Sequence, residues 1–255
     1  HLRQVIATNI DTVMVVCGLD GDFNPARIER YFVLIEGSGA KAVVVLTKAD
    51  LAADAQAMTE QLKARMPAGT EIHAINAKTG FGVDALLAHL GPGSSTVLVG
   101  SSGAGKSTLT NTLLGEARQS TQAVRANDSR GRHTTTYRSL IMLPSGGCLI
   151  DTPGMREVKL TGDESFDGGQ FDDIEELAGE CRFGDCSHLA EPSCAVRAAL
   201  DDGRLDPERW HSYLKLRDEL AAAAESLEAQ LRRKSESRVL TKALGKRLDE
   251  KYGRH

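Results

Sequence analysis

Six short apolar runs punctuate the first 155 residues, each bounded by turn chemistry. They are TVMVVCG (12–18), AVVVLTK (42–48), EIHAINAK (71–78), STVLVGS (95–101), SLIML (139–143) and CLIDTPG (148–154). Runs of this length between Gly, Pro, Asp and Ser clusters read as buried strands. Helical patterns separate several of them: PARIERYFVLIE, ADAQAMTEQLKARM, GVDALLAHL and KSTLTNTLL. Strands alternating with helices predict a mainly parallel sheet covered on both faces. The PSGG between 139–143 and 148–154 predicts a hairpin, and so one antiparallel strand.

Beyond about residue 158 the pattern changes. Residues 163–180 carry eight acidic side chains and no basic one, and a long helical pattern covers about 206–234. Trp210, Tyr213, Leu214, Leu220, Leu227 and Leu231 form its expected apolar stripe. The last 25 residues hold nine Lys or Arg against three Asp or Glu. The reading is therefore two domains, an α/β domain over 1–158 and a mainly helical one over 159–255 with a basic tail.

Composition narrows the class. The 255 residues are 41% hydrophobic and 26% charged, the profile of a globular chain. No run approaches a membrane-spanning length, and the first residues lack the apolar core of a signal peptide, so no membrane partner and a cytoplasmic location are expected. A net charge of −4 means that nucleic-acid contact would need a local basic patch, such as the tail, which otherwise suits a solvated helix end. Aromatics at 4% argue against broad base-stacking platforms. Of five cysteines, Cys17 and Cys148 fall in strand-like runs and read as core, while Cys181, Cys186 and Cys194 crowd within fourteen residues.

Gly100-Ser101-Ser102-Gly103-Ala104-Gly105-Lys106-Ser107 fits G-x-x-x-x-G-K-[ST], after one predicted strand and opening a helix. Its glycines let backbone N–H groups converge on phosphate oxygens, and the helix aims its positive end at the same anion. Lys106 would reach the β and γ phosphates and the Ser107 hydroxyl would ligate Mg²⁺. In Asp151-Thr152-Pro153-Gly154, Asp151 would hold Mg²⁺ through water, and the Gly154 N–H would face the γ-phosphate. Between these lies Gly131-Arg-His-Thr-Thr-Thr136, suited to a switch in which a Thr hydroxyl reaches the metal; Thr135 is our choice among the three. A Thr-rich strand entry is the plainer alternative for that segment.

Thr47-Lys48-Ala49-Asp50 closes the second apolar run. A carboxylate there can accept both N1–H and the N2 amino group of guanine, whereas adenine offers neither donor and would leave Asp50 unpaired. The Lys48 stem would lie over the base, and the backbone of Asn76-Ala77-Lys78 would contact guanine O6. These base-reading motifs precede the phosphate loop, the reverse of an ordinary GTPase. Joining the old termini and opening another loop leaves their positions in space unchanged.

Cys181-x₄-Cys186-x-His188-x₅-Cys194 supplies three thiolates and one imidazole, the complement of a closed tetrahedral Zn²⁺ site. With four protein ligands no position stays open for catalysis.

The permuted order, the GRHTTT loop, DTPG and the cysteine–histidine knot together resemble the ribosome small-subunit-dependent GTPase A (RsgA) family over nearly all of the chain. The resemblance implies a circularly permuted P-loop GTPase domain followed by a zinc-binding helical domain. It implies GTP hydrolysis stimulated by the small ribosomal subunit, late in that subunit's assembly, with GTP/GDP, the subunit and its rRNA as partners and a monomeric state. By resemblance, Thr47 to Asp50 and Gly100 to Thr108 would bind GTP, and Cys181, Cys186, His188 and Cys194 would hold zinc.

The family's N-terminal OB-fold, which helps bind rRNA, would lie before His1. Thr47 stands where Asn is commoner, and Met155 follows DTPG where many GTPases place a water-orienting Gln. The family also lacks that Gln, so slow intrinsic turnover is implied. His133 is a candidate water positioner, against packing or RNA contact; Arg130 and Arg132 could face transition-state charge or RNA. The rival to an enzyme is a non-catalytic GTP-dependent RNA-binding switch or placeholder on the subunit.

Overall fold

A computed structural model describes residues 7–116, 139–152, 160–162, 164–166 and 168–252. The predicted six-stranded sheet is present. Its strands are β1 (Thr12–Gly18), β2 (Lys41–Thr47), β3 (Glu71–Ala74), β4 (Ser95–Val99), β5 (Ser139–Met142) and β6 (Cys148–Asp151). The spatial order is β3-β2-β1-β4-β6-β5, parallel except for the β5–β6 hairpin. Chain order therefore runs outward from β1 through β2 to β3, while on the other side β6 lies between β4 and β5. The gap beyond the carboxyl ends of β1 and β4 is the switch point where open α/β sheets gather their ligand loops.

Side-chain alternation along β1 divides the core. Val13, Val15 and Cys17 face α1 (Pro25–Ile35) and α2 (Ala55–Lys63), while Met14 and Val16 face α3 (Lys106–Leu114) and a 3₁₀ helix over Val83–His89. Helix starts follow local chemistry. Asn24 caps α1 by accepting from the Arg27 N–H at 2.9 Å, with Pro25 at the first turn, and Asp54 caps α2 through the Ala57 N–H at 2.8 Å.

A third cluster joins α4 (Asp172–Gly179), α5 (Ala195–Asp201) and the start of α6 (Pro207–Tyr252) around Phe171, with Val33 of α1 contributing. Phe171 is fully buried, and such burial is worth about 1.5–3 kcal/mol. Phe166, Tyr213 and Trp210 stack beside it, at centroid separations of 5.3–5.5 Å.

Three sequence expectations change. The helix expected over 206–234 runs to Tyr252, because no Pro and only one Gly interrupt its later part. Its buried stripe uses Leu216, at 2% exposure, alongside Trp210, Tyr213 and Leu220, while Leu231 is 58% exposed. Cys17 is core, but Cys148 is only half-buried, because the outer face of the edge hairpin has no covering layer among the described residues.

Candidate nucleotide site

The phosphate loop sits between β4 and α3, directly beside the end of β1. A side chain at Gly100 would meet the Val16 carbonyl oxygen at 2.1 Å, and its φ of 147° lies in a region that L residues rarely adopt. At Gly105 a Cβ would approach the Thr47 hydroxyl at 2.9 Å, with φ at 97°. Both glycines are thus required by the close approach of neighbouring strand ends. Gly103 is exposed at the loop tip, Ser101, Ala104 and Lys106 are buried, and Ser102, Ser107 and Thr108 are half-buried.

The two motifs at 47–50 and 76–78 are tied to this loop from two directions. The Thr47 hydroxyl donates to the Ala104 carbonyl at 2.5 Å, while the Thr112 hydroxyl of α3 donates to the Ala77 carbonyl. The two loops that carry these motifs are joined to each other by the Ala49 N–H to the Ile75 carbonyl at 3.1 Å. Asn76 accepts from the Lys78 N–H at 2.9 Å, which shapes the turn that presents Ala77 and Lys78. Lys48 has φ 60°, and Asp50 is exposed in a single 3₁₀ turn, Ala49–Leu51. A groove of about 700 Å³ opens beside Asp50, Asn76 and Phe81.

Electrostatics concentrate on Lys106. Its ammonium donates to the Gly100 and Ser101 carbonyls at 2.8 and 2.7 Å. Burial pushes its pKa down to about 8, against the opposing pull of the Asp151 and Asp22 carboxylates. Asp151 ends β6, wholly buried, and the next residue anchors the turn through the Thr152 hydroxyl to the Leu98 carbonyl at 2.7 Å.

Sequence reasoning missed the loop after β1. Asp22 accepts from the Ser101 hydroxyl at 2.6 and 2.7 Å and pairs with Arg27 at 2.6 Å, and Asp20 pairs with Lys48 at 2.6 Å. The available signal was positional: GLDGDFN follows a central parallel strand at the switch point. Gly154, His133 and Thr135, and with them the proposed switch, lie outside the described residues.

Far along the chain, Cys181, Cys186, His188 and Cys194 bring their ligand atoms within 4.8 Å of one another, a group that could hold a metal ion. Cys181 Sγ lies 3.8 Å from Cys194 Sγ and 3.5 Å from His188 Nδ1, which is 3.4 Å from Cys194 Sγ. The fold presents them deliberately: His188 takes φ 62°, Cys194 caps α5, and the His188 ring stands edge-on to Trp210 at 5.7 Å.

Residues 1–161 match the family model described as RsgA GTPase. A curated relative from Xanthomonas euvesicatoria pv. vesicatoria, named small ribosomal subunit biogenesis GTPase RsgA, is 63% identical over 228 residues, covering 88% of this chain and 62% of the relative. The protein of that name from Xanthomonas oryzae pv. oryzae is 62% identical with the same coverage. The chain thus spans about 62% of the length of these relatives. Among solved structures, YjeQ from Thermotoga maritima aligns with a TM-score of 0.57 at 28% identity, over 84% of this chain and 72% of that one. YloQ, described as a circularly permuted GTPase, aligns with a TM-score of 0.54 at 25% identity, over 86% and 69%.

Proposed function

The chain belongs to the RsgA GTPase family, and from that premise we propose that it hydrolyses GTP to GDP and phosphate in the service of small ribosomal subunit assembly, with the subunit stimulating turnover. The observation that carries the proposal is the pinning of both base-reading loops onto the phosphate loop and its helix, through Thr47 to Ala104 and Thr112 to Ala77. A guanine reader and a phosphate cradle held at fixed separation are what a guanine nucleotide requires, and prior positioning lowers the ordering cost of binding it.

In this reading Asp50 accepts from the guanine edge, Lys48 covers the base, and the Ala77–Lys78 backbone meets O6. Gly100 to Thr108 wrap the phosphates, and Lys106 leaves its two carbonyl partners for phosphate oxygens. A magnesium ion accompanying GTP would supply positive charge to the phosphates. Ser107 in the first turn of α3 would ligate it directly, buried Asp151 would hold it through water, and Thr135 would be the switch ligand. Gly154 would contact the γ-phosphate, and His133 would position water. Thr47 serves as a strut in place of the commoner Asn, which supports keeping Asp50 as the discriminating group.

Zinc fits the cysteine–histidine group. Tetrahedral ligands at the usual zinc distances stand about 3.8 Å apart for two sulfurs and about 3.6 Å for sulfur and nitrogen. The separations of 3.8, 3.5 and 3.4 Å match those edges. We place the boundary between the GTPase and zinc-binding helical domains at 158/159, assign rRNA contact partly to the basic tail, and take the protein as a cytoplasmic monomer.

Multiple-turnover assays with GTP and with ATP, on the chain alone and with purified small subunits, test the proposal. GTP-selective turnover that rises at least tenfold with subunits is the expected result. Hydrolysis of ATP at a similar rate would refute the guanine assignment, and tight GTP binding without turnover in either condition would favour the switch over the enzyme.

A further inference from the structure

A second group of ligand-type side chains lies away from the nucleotide loops. Glu71 and His73 stand two residues apart on β3, so they share one face of the edge strand. Their partners in β2 are Val43 and Val45, which face the 3₁₀ helix Val83–His89. That helix ends in His89, which is 9% exposed, and brings it to the same place. Because β3 is parallel to its neighbours, Glu71 is at the amino end of the strand, whereas the nucleotide loops leave the carboxyl ends.

Both imidazoles converge on a single carboxylate oxygen. Glu71 Oε2 lies 2.9 Å from His89 Nε2 and 3.5 Å from His73 Nε2. Ligands of a tetrahedral zinc-type ion at N and O distances near 2.05 Å stand about 3.3 Å apart, between these two values. The three ligand atoms all fall within 4.8 Å of one another. His73 Nε2 is moreover buried and makes no hydrogen bond, a state that is unfavourable unless something else meets the nitrogen. The other carboxylate oxygen is held by Lys41, whose side chain is half-exposed.

We propose that Glu71, His73 and His89 form a second metal site, distinct from the cysteine–histidine group, that takes one borderline divalent transition ion such as Zn²⁺ or Co²⁺. Two imidazoles and one carboxylate suit that class, and a hard ion such as Mg²⁺ would find too few oxygens. The ion would clip the edge strand to the 3₁₀ helix, two elements otherwise joined there by the Glu71–His89 contact.

Cobalt titrated into tag-free full chain, first saturated with zinc at the cysteines, tests this. The expected result is one further equivalent, with weak visible bands of nitrogen and oxygen ligation and no sulfur-to-cobalt charge transfer. Binding should weaken at least tenfold in both His73→Gln and His89→Ala, and a cobalt-induced rise in the thermal midpoint should vanish in His73→Gln, which retains the size of the side chain. No further equivalent at cobalt concentrations on the order of 100 µM, charge-transfer bands alone, or unchanged affinity in His73→Gln would each overturn the site.

Discussion

Lys106 shows how one residue reports on the state of the site. Burial lowers its pKa to about 8, so the folded chain holds fewer protons than the unfolded chain between that pH and the ordinary lysine value near 10.5. Stability from this group is therefore fully present above about 10.5 and is lost as the pH falls through about 8. Nucleotide phosphates placed beside the ammonium would reverse the shift. Binding at pH 8.5–9 should then take up a fraction of a proton, seen as a buffer-dependent heat in titration calorimetry, and Lys106→Ala should abolish both the uptake and most of the affinity. Heats identical across buffers would place the phosphates elsewhere. The phosphate-loop residues were legible because their spacing encodes backbone geometry within eight positions. Asp20 and Asp22 were not, since nothing local in GLDGDFN says that Ser101, 79 residues later, will meet it.

At the scale of elements, the join between α1 and α6 rests on a buried ionic network. Glu29, with no exposure, accepts from Arg65 at 2.8 Å and from Arg209 at 3.1 Å through one oxygen, and from Ser212 at 2.5 Å through the other. Arg209 also pairs with Asp173 at 2.5 Å and lies over the Phe171 ring at 5.0 Å. Glu29→Ala would leave two guanidinium groups buried without that carboxylate, at a cost of about 3–5 kcal/mol. Urea unfolding should show that loss in the midpoint; a change under about 1 kcal/mol would mean that water replaces the carboxylate readily. No sequence pattern links positions 29, 65, 173 and 209, so this network was invisible, whereas the strands, most of them set by short apolar runs between turn residues, were legible to within a few residues. The stripe of α6 was read two positions away at Leu214, because an alanine-rich amphipathic helix admits both phases until a partner surface selects Leu216.

The cysteine–histidine group belongs to the same scale. Cys181, Cys186 and Cys194 pack with the cluster around Phe171 and Trp210, so a bound metal and the apolar core would support each other. Cys186→Ala should remove one equivalent of zinc from purified protein and destabilise the C-terminal elements. A loss of about 3 kcal/mol would lower the thermal midpoint by about 6–12 °C. Native protein that is fully folded and free of zinc would contradict the assignment.

For the whole molecule, the consequence of the permuted order is mechanical. The base-reading loops come early in the chain, the phosphate loop follows, and the segment after Asp151 leads to the helical elements that α6 fastens back onto α1. On the proposed reaction, that connection would link the site to the elements that carry the cysteine–histidine group. This arrangement depends on the early loops and the late loop forming one guanine site across the switch point. The most direct measurement is competitive nucleotide binding by parent and Asp50→Asn protein. The account predicts that the parent prefers GTP over ATP and XTP by several orders of magnitude, since a site built on polar pairing rejects a mismatch by about 10⁴. The variant should lose GTP and gain XTP, because its amide offers a donor where the carboxylate accepted. Unchanged GTP affinity in Asp50→Asn would contradict it.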